Sequence, residues 1–302
     1  MFSTNEKTNK MFAKAYKQAS YFTQPVIIST RFFDKDVDCG CGAFVVINEE
    51  GWIVTAAHLW SSHFTFQQHL KDLDEYHAQV QTIKQDHKLN ARQKHAKVER
   101  LPTNPKWITN HSFWWGRDKV QIHEINPFPE ADLVIGRLEP FDPASIKAYP
   151  VFKNPEALEM ATSLCKLGYP FHKIKASFDE KTGAFNLAPD ALPLPRFPLE
   201  GIYTRNVKAG KSKDGKYDIE FLEMSSPGLR GQSGGPIFDV NGTVWAIQSR
   251  TMHFPLGFSP KVTRNGQEVE ENQFLNVGWG IHPRLLVSFL KENDIKFKLS
   301  EY

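Results

Sequence analysis

The sequence predicts an antiparallel all-β fold interrupted by one helical insertion and closed by a short C-terminal helix. Three observations predict it. Short β-type runs separated by turn signals recur along most of the chain. Between Phe64 and Arg100 apolar residues recur at helical spacing instead, with no Gly or Pro before Pro102. Near the end, His282-Pro283 precedes an apolar stripe of Leu285, Leu286, Phe289 and Leu290, and proline suits the first turn of a helix.

Residues 1–24 are polar, with a short amphipathic stretch around Met11–Ala19, and read as an arm or helix. Strands are expected at Val26–Thr30, Ala43–Ile47 and Trp52–Thr55, the last two joined by the polar turn at Asn48–Gly51. In the insertion, Leu70, Leu73, Tyr76, Val80 and Ile83 form one apolar seam, which must pack on the sheet or on a partner. Pro102 and Pro105 end it. Strands resume at Val120–Ile125, Asp132–Leu138 and within Thr162–Gly168. The Pro- and Lys-rich stretch 171–200 reads as a long surface loop. Strand-like runs follow at Gly201–Val207, Tyr217–Leu222, Pro236–Val240 and Thr243–Ser249, with a hairpin signal at Asn241-Gly242.

Composition narrows the functional classes. With 302 residues, 40% hydrophobic and 23 of them Phe, the chain has material for a packed core and is not a disordered segment. The net charge of +3 gives no ground to expect a nucleic-acid binder. That charge is local: residues 59–118 hold nine Lys and Arg against six Asp and Glu, and the rest of the chain sums to zero. Lys84, Lys88, Arg92, Lys94, Lys97 and Arg100 make the second half of the insertion basic, as a solvated face before a site for an acidic partner or nucleic acid, and the insertion as a whole, 60–117, is where a regulatory protein partner would dock. Six of the eleven histidines (His63, His69, His77, His87, His95 and His111) fall there without metal-ligand spacing, so neither a metal nor a cofactor is expected. Three cysteines, Cys39, Cys41 and Cys165, are too few and odd in number for a disulfide framework. The first ten residues have no apolar core of a signal peptide, and no 18-residue apolar run exists. A cytoplasmic chain with reduced thiols and no membrane span is therefore expected.

Three local sequences carry chemistry together. Ile53-Val-Thr-Ala-Ala-His58 puts a histidine after an apolar strand. Asp132-Leu-Val-Ile puts an acid at the head of another. Gly231-Gln-Ser-Gly-Gly-Pro236 puts Ser233 in a glycine-rich turn. A serine hydroxyl needs an adjacent base to attack. An imidazole takes and returns a proton near neutral pH, and a carboxylate fixes its tautomer. Backbone N–H groups of Gly231 and Ser233 would stabilise an oxyanion. Gly231-Gln-Ser-Gly-Gly235 also fits the Gly-x-Ser-x-Gly elbow of α/β-hydrolases, but that elbow leads into a helix with its histidine downstream. Here a strand-like run follows, and His253 and His282 are the formal downstream alternatives.

In these three motifs and their order the chain resembles the chymotrypsin/trypsin-like serine peptidases. Gly242-Thr-Val-Trp-Ala-Ile-Gln-Ser249 and Val277-Gly-Trp-Gly-Ile-His-Pro283 are most similar to the Deg/HtrA branch. The resemblance covers roughly 25–58, 118–170 and 200–292. It implies two antiparallel six-stranded β-barrels with the site between them. The first barrel would take 25–155, with the insertion at about 60–117, and the second 156–302. It implies a serine endopeptidase acting on a protein or peptide substrate, with His58, Asp132 and Ser233 catalytic. Ser249, Arg250 and Thr251 would pair with the substrate backbone, and Pro227 and Gly228 would wall the primary side-chain pocket. Secreted relatives pair a cysteine after the histidine with one upstream; here Leu59 holds that place, so Cys41 is expected free. Zymogen-type relatives carry Asp before the serine, and this chain has Gln232, so activation through a salt bridge to a freed N-terminus is not expected. No acid stands where trypsin-like pockets carry one, and Arg230 or Arg250 suits an acidic residue or is a rim charge. Deg-type enzymes usually append a PDZ domain, and none is expected within this sequence. A trypsin-fold protein that only binds is the alternative.

Overall fold

A computed structural model describes residues 11–301. Helix α1 (Ala13–Phe22) runs straight into β1 (Thr23–Phe32), and β2 (Val37–Val46) and β3 (Trp52–Ala56) follow. The insertion then supplies α2 (Ser61–Gln85) and α3 (Ala91–Glu99) before β4 (Ile108–Trp115), β5 (Gln121–Phe128) and β6 (Leu133–Glu139). These six strands form one antiparallel sheet in the order β4-β1-β2-β3-β6-β5. Its two outer strands, β4 and β5, are not paired with each other, so the sheet curls as an open half-barrel.

The second half contributes β7 (Val151–Phe152), β8 (Ser163–Gly168), the hairpin β9 (Ala176–Asp179) and β10 (Ala184–Leu187), then β11 (Phe197–Lys211) and β12 (Asp218–Met224). After β13 (Pro236–Phe238) and β14 (Val244–Pro255) come the hairpin β15 (Lys261–Arg264) and β16 (Gln267–Glu270), then β17 (Phe274–Ile281), α4 (Pro283–Glu292) and β18 (Lys298–Leu299). Six strands close into a ring, β8-β11-β12-β17-β14-β13, because β13 pairs with both β8 and β14. Strands β7 and β18 extend it in parallel beside β14. The trypsin-like architecture of two curled β-sheets with few helices thus holds, with an open first sheet and a closed second one.

The core explains why these runs are strands. Val26, Ile27, Val45, Val46, Ile53 and Val54 are β-branched and fully buried, which suits a pleated, packed surface. Phe44 meets Trp115 edge-on and Trp60 lies tilted against it, with ring centres 5.5 and 5.3 Å apart. Helix α1 buries Ala15, Ala19 and Phe22, so the N-terminal arm is part of the core from Ala15 onward. The rest of the expected arm, residues 1–10, lies outside the described residues.

The insertion is two helices rather than one. Asn90 breaks it: its side chain accepts the Gln93 N–H at 2.9 Å, and the Gln93 side chain accepts the Asn90 N–H at 3.0 Å. That reciprocal pair is a capping box. The apolar seam packs on the first sheet. Leu73 and Val80 are buried, Tyr76 meets Phe33 edge-on, and His69 Nδ1 accepts the Ile108 N–H at 2.9 Å. Helix α3 buries no residue. The stretch 171–200 is not a plain loop: it holds β9 and β10, and β11 begins at Phe197. Strand β4 and the β15–β16 hairpin carried no clear signal, because polar and apolar residues in them do not alternate cleanly.

Candidate active site

Four segments meet where the two sheets face each other. Strand β3 ends at Ala56 and tightens into a 3-10 turn, Ala57–Trp60, which presents His58. Asp132 precedes β6 in a left-handed backbone conformation, φ 57°, which bends the chain sharply and which Asp tolerates better than most residues. Its main-chain oxygen accepts the Ala57 N–H at 3.0 Å. Its Oδ1 accepts the His58 backbone N–H at 2.8 Å. The imidazole Nδ1 of His58 lies 2.9 Å from Oδ2 and 3.1 Å from Oδ1. The backbone N–H and the ring of His58 are therefore both held on Asp132, and the Ala57 bond fixes the turn that carries them. The His58 side chain is 45% exposed and that of Asp132 only 6%, so the ring faces the cleft and the carboxylate lies beneath it.

Ser249 completes the carboxylate's partners, donating its hydroxyl to Asp132 Oδ2. Burial alone would push the Asp132 carboxyl up. Hydrogen bonds and charge from His58, with the Ser249 bond, outweigh it and hold the group below its ordinary range. Arg250 does not project freely into the cleft. Its guanidinium sits over the Phe221 ring at 4.9 Å, with Nη2 4.0 Å from Asp132 Oδ2.

Ser233 stands just before β13, anchored across the two sheets: its carbonyl accepts the Ala43 N–H of β2 at 2.8 Å. Before it, Gln232 N–H donates to Leu229 O at 2.9 Å and Gly231 has φ 94°, the signature of a type II turn. A Cβ at Gly231 would stand 2.3 Å from Tyr169 O, and one at Gly234 2.0 Å from Ala43 O, so only glycine fits either position. The N–H groups of Gly231 and Ser233 donate to no protein acceptor among the described residues. Gln232 is fully buried, and its Oε1 accepts the Leu229 N–H at 3.0 Å. A neutral amide thus braces this turn. Ser233 Oγ donates toward Ser249 O at 3.5 Å, and no bond joins it to the His58 ring among the described residues.

A cleft of about 870 Å³ opens on this group. His58, Asp132, Ser233, Gly228, Ser249, Arg250 and Thr251 all line it, whereas Pro227, expected in the pocket wall, is not among its lining residues. A second cavity of about 760 Å³ continues past Gly231 and Ser233 on the side of Cys41 and Tyr169. Sequence reasoning missed part of the first cleft's wall. Because α2 begins directly after the His58 turn, its first residues, Ser61, His63 and Phe64, face Ile125, Pro127 and Pro129 across the cleft. The contiguity of His58 with the helical stretch was the available signal.

Cys41 is free, its thiol donating to Tyr169 O and pushed up to about 11 by burial. His282 is buried and caps α4, accepting the Arg284 N–H, while His253 bonds Asn276; neither lines the cleft with Ser233. Among the described residues no group of three or more His, Cys, Asp or Glu side chains is placed to hold a metal. None of their helices is long and apolar enough to cross a membrane.

Two solved structures similar to this chain are the HtrA-type protease AlgW with a tripeptide and a serine-to-alanine form of the same complex. Each shares 14% identity, with a TM-score of 0.47 over 93% of this chain. The chain spans 62% of the length of those structures. No curated protein matches it. The sequence profile of the trypsin-like peptidase domain matches residues 41–247. That span is more than half of the chain, runs from within β2 to within β14 and takes in His58, Asp132 and Ser233, so the chain belongs to the trypsin-like peptidase domain family.

Proposed function

We propose that this chain is a serine endopeptidase with Ser233 as nucleophile, His58 as base and acid, and Asp132 as the group that orients His58. The observation that carries the reading is the His58–Asp132 pair opening on the same cleft as Ser233, beside the N–H groups of Gly231 and Ser233, which have no acceptor among the described residues. With Nδ1–H donated to Asp132, Nε2 is the free acceptor. It takes the hydroxyl proton as Ser233 Oγ bonds the substrate carbonyl carbon. The carbonyl oxygen becomes an anion, stabilised by the N–H groups of Gly231 and Ser233. Collapse breaks the C–N bond, Nε2 returns the proton to the departing amine, and an acyl-enzyme remains. Water, deprotonated by His58, releases it and restores Ser233.

The substrate would lie extended along Ser249–Thr251, where β14 has passed β13 and offers an open edge. No cofactor enters any step. We further propose a cytoplasmic enzyme restrained by a narrow protein substrate or by a partner on the exposed insertion. Turnover of an internally quenched peptide library tests the reading. The native chain is expected to cleave, and Ser233→Ala to lose at least about 10³-fold in kcat/KM.

One observation favours a second reading, a binding protein without turnover: Ser233 Oγ faces Ser249 O rather than His58. Such links are often long before substrate arrives. Cleavage of no peptide, with partner capture unchanged by Ser233→Ala, would support that reading instead.

A further inference from the structure

The cleft has two unlike walls. The wall from the second sheet, around Ser233 and Ser249–Thr251, is largely polar. The wall from the first sheet and its insertion is largely apolar: Trp60, Phe64, Ile125, Pro127, Pro129 and Val134 all line it. Each stands within seven residues of His58 or Asp132 in the sequence, so the apolar wall flanks that pair.

Two of these side chains are left open. Phe64 is 53% exposed and Ile125 41%. Single exposed apolar residues are ordinary on a surface. These two face each other across the cleft that holds Ser233, and apolar surface left open in a concave site marks where a ligand binds. Both are braced from behind. Phe64 stands in the first turn of α2, which is fastened to β4. There Ser62 Oγ and His111 Nε2 lie 2.9 Å apart, the Trp60 ring lies 5.2 Å from that of Phe113, and the His63 ring 5.4 Å from that of His111. On β5, Ile125 and Pro127 turn to the cleft, while Phe128 turns into the core against Tyr217 and Phe289. The notch between Phe64 and Ile125 is thus built on packed elements.

We propose that the helical insertion takes part in substrate selection: Phe64 and Ile125 clasp the side chain of the residue immediately before the one whose carbonyl Ser233 attacks, and that side chain is large and apolar. The inference rests on the peptidase reading. An extended substrate along Ser249–Thr251 presents successive side chains to opposite sides. The attacked residue directs its side chain at the second-sheet wall, and the residue before it directs its own at the notch. Leu, Phe or Val there removes apolar surface of both partners from water. A charged side chain there loses water and meets no charged partner among the six apolar wall residues.

The test uses the full chain and a peptide varied one position at a time, with Leu, Phe, Val, Ala, Gln, Asp or Lys at each. Fluorophosphonate labelling of the native Ser233 is read in parallel. At the position before the attacked residue, Leu is expected to exceed Gln in kcat/KM by at least about tenfold, as burial of one apolar side chain allows. Phe64→Ser and Ile125→Ser, both at exposed positions, are each expected to bring that ratio toward one, and Phe64→Leu to retain most of it. A native preference there for Gln, Asp or Lys overturns the proposal, as does an apolar preference confined to another position. A ratio unchanged in either serine variant also overturns it, leaving Phe64 and Ile125 as bystanders on the rim. A protein that labels but shows no apolar preference at that position loses only this inference. One that neither labels nor cleaves loses the peptidase reading with it.

Discussion

Asp132 holds His58 through Oδ1 and through the imidazole contact, while its main-chain oxygen holds Ala57 and Ser249 donates to Oδ2. An ionised carboxylate accepts from the His58 N–H, the imidazole Nδ1–H and the Ser249 hydroxyl together. Asp132→Asn is therefore expected to lower kcat by about 10⁴-fold with little change in KM, because the amide turns His58 to the wrong tautomer; steady-state kinetics on one good peptide substrate checks it. His282 gives a second prediction. It is held down to about 4, chiefly by burial and then by Arg284; Glu220, its other charged neighbour, lies 3.7 Å away. The folded chain keeps it neutral, while the unfolded chain takes up a proton below about pH 6.5. Stability from this group is thus complete above pH 6.5 and is lost as pH falls toward 4, by up to about 3 kcal/mol. Denaturant titrations at pH 7 and pH 4.5 should show a larger acid loss in the native chain than in His282→Gln. The three residues proposed to react, His58, Asp132 and Ser233, were legible in sequence because each sits in a short motif beside its own strand. The burial of Lys166 was not: nothing within Leu164-Cys165-Lys166-Leu167 marks it, because the carbonyls that hold its Nζ belong to the distant Ser226 and Pro227.

Helix α2 shows what spacing can and cannot say. The seam Leu73–Tyr76–Val80 predicts one buried face, and that face packs on β4 and on Phe33. Leu73→Ala is expected to cost about 2–4 kcal/mol, read as a lower denaturation midpoint. Changing Lys94 and Lys97 of the unburied α3 to Gln should leave that midpoint within about 0.5 kcal/mol. The seam's partner was not readable from the sequence, because β4 arrives only after the helices and carries mixed residues such as Asn110, His111 and Ser112. The break at Asp86–Asn90 has no Gly or Pro to announce it; its cap depends on Asn90 and Gln93 facing each other. The serine turn is the opposite case. Two glycines around Ser233 already imply positive φ, and Gly231→Ala should abolish activity, since its Cβ would collide with Tyr169 O.

For the molecule as a whole, the two sheets are joined through the site itself: Ala43 N–H holds Ser233 O, and the Tyr169 hydroxyl donates to Thr23 O at 2.9 Å. The type II turn at Gly231 is already formed, braced by the neutral Gln232 rather than by a charge pair. Reactivity is therefore expected without prior cleavage of the chain. Helix α1 belongs to the core, and removal of residues 1–22 should cost at least about 3 kcal/mol through the loss of buried Phe22 alone. Intact-mass analysis of the full, uncleaved protein after exposure to a fluorophosphonate tests whether Ser233 is an activated nucleophile. A single adduct is expected, mapped to Ser233 and lost in Ser233→Ala and His58→Ala. An unmodified native protein, or an adduct that persists in Ser233→Ala, would contradict it.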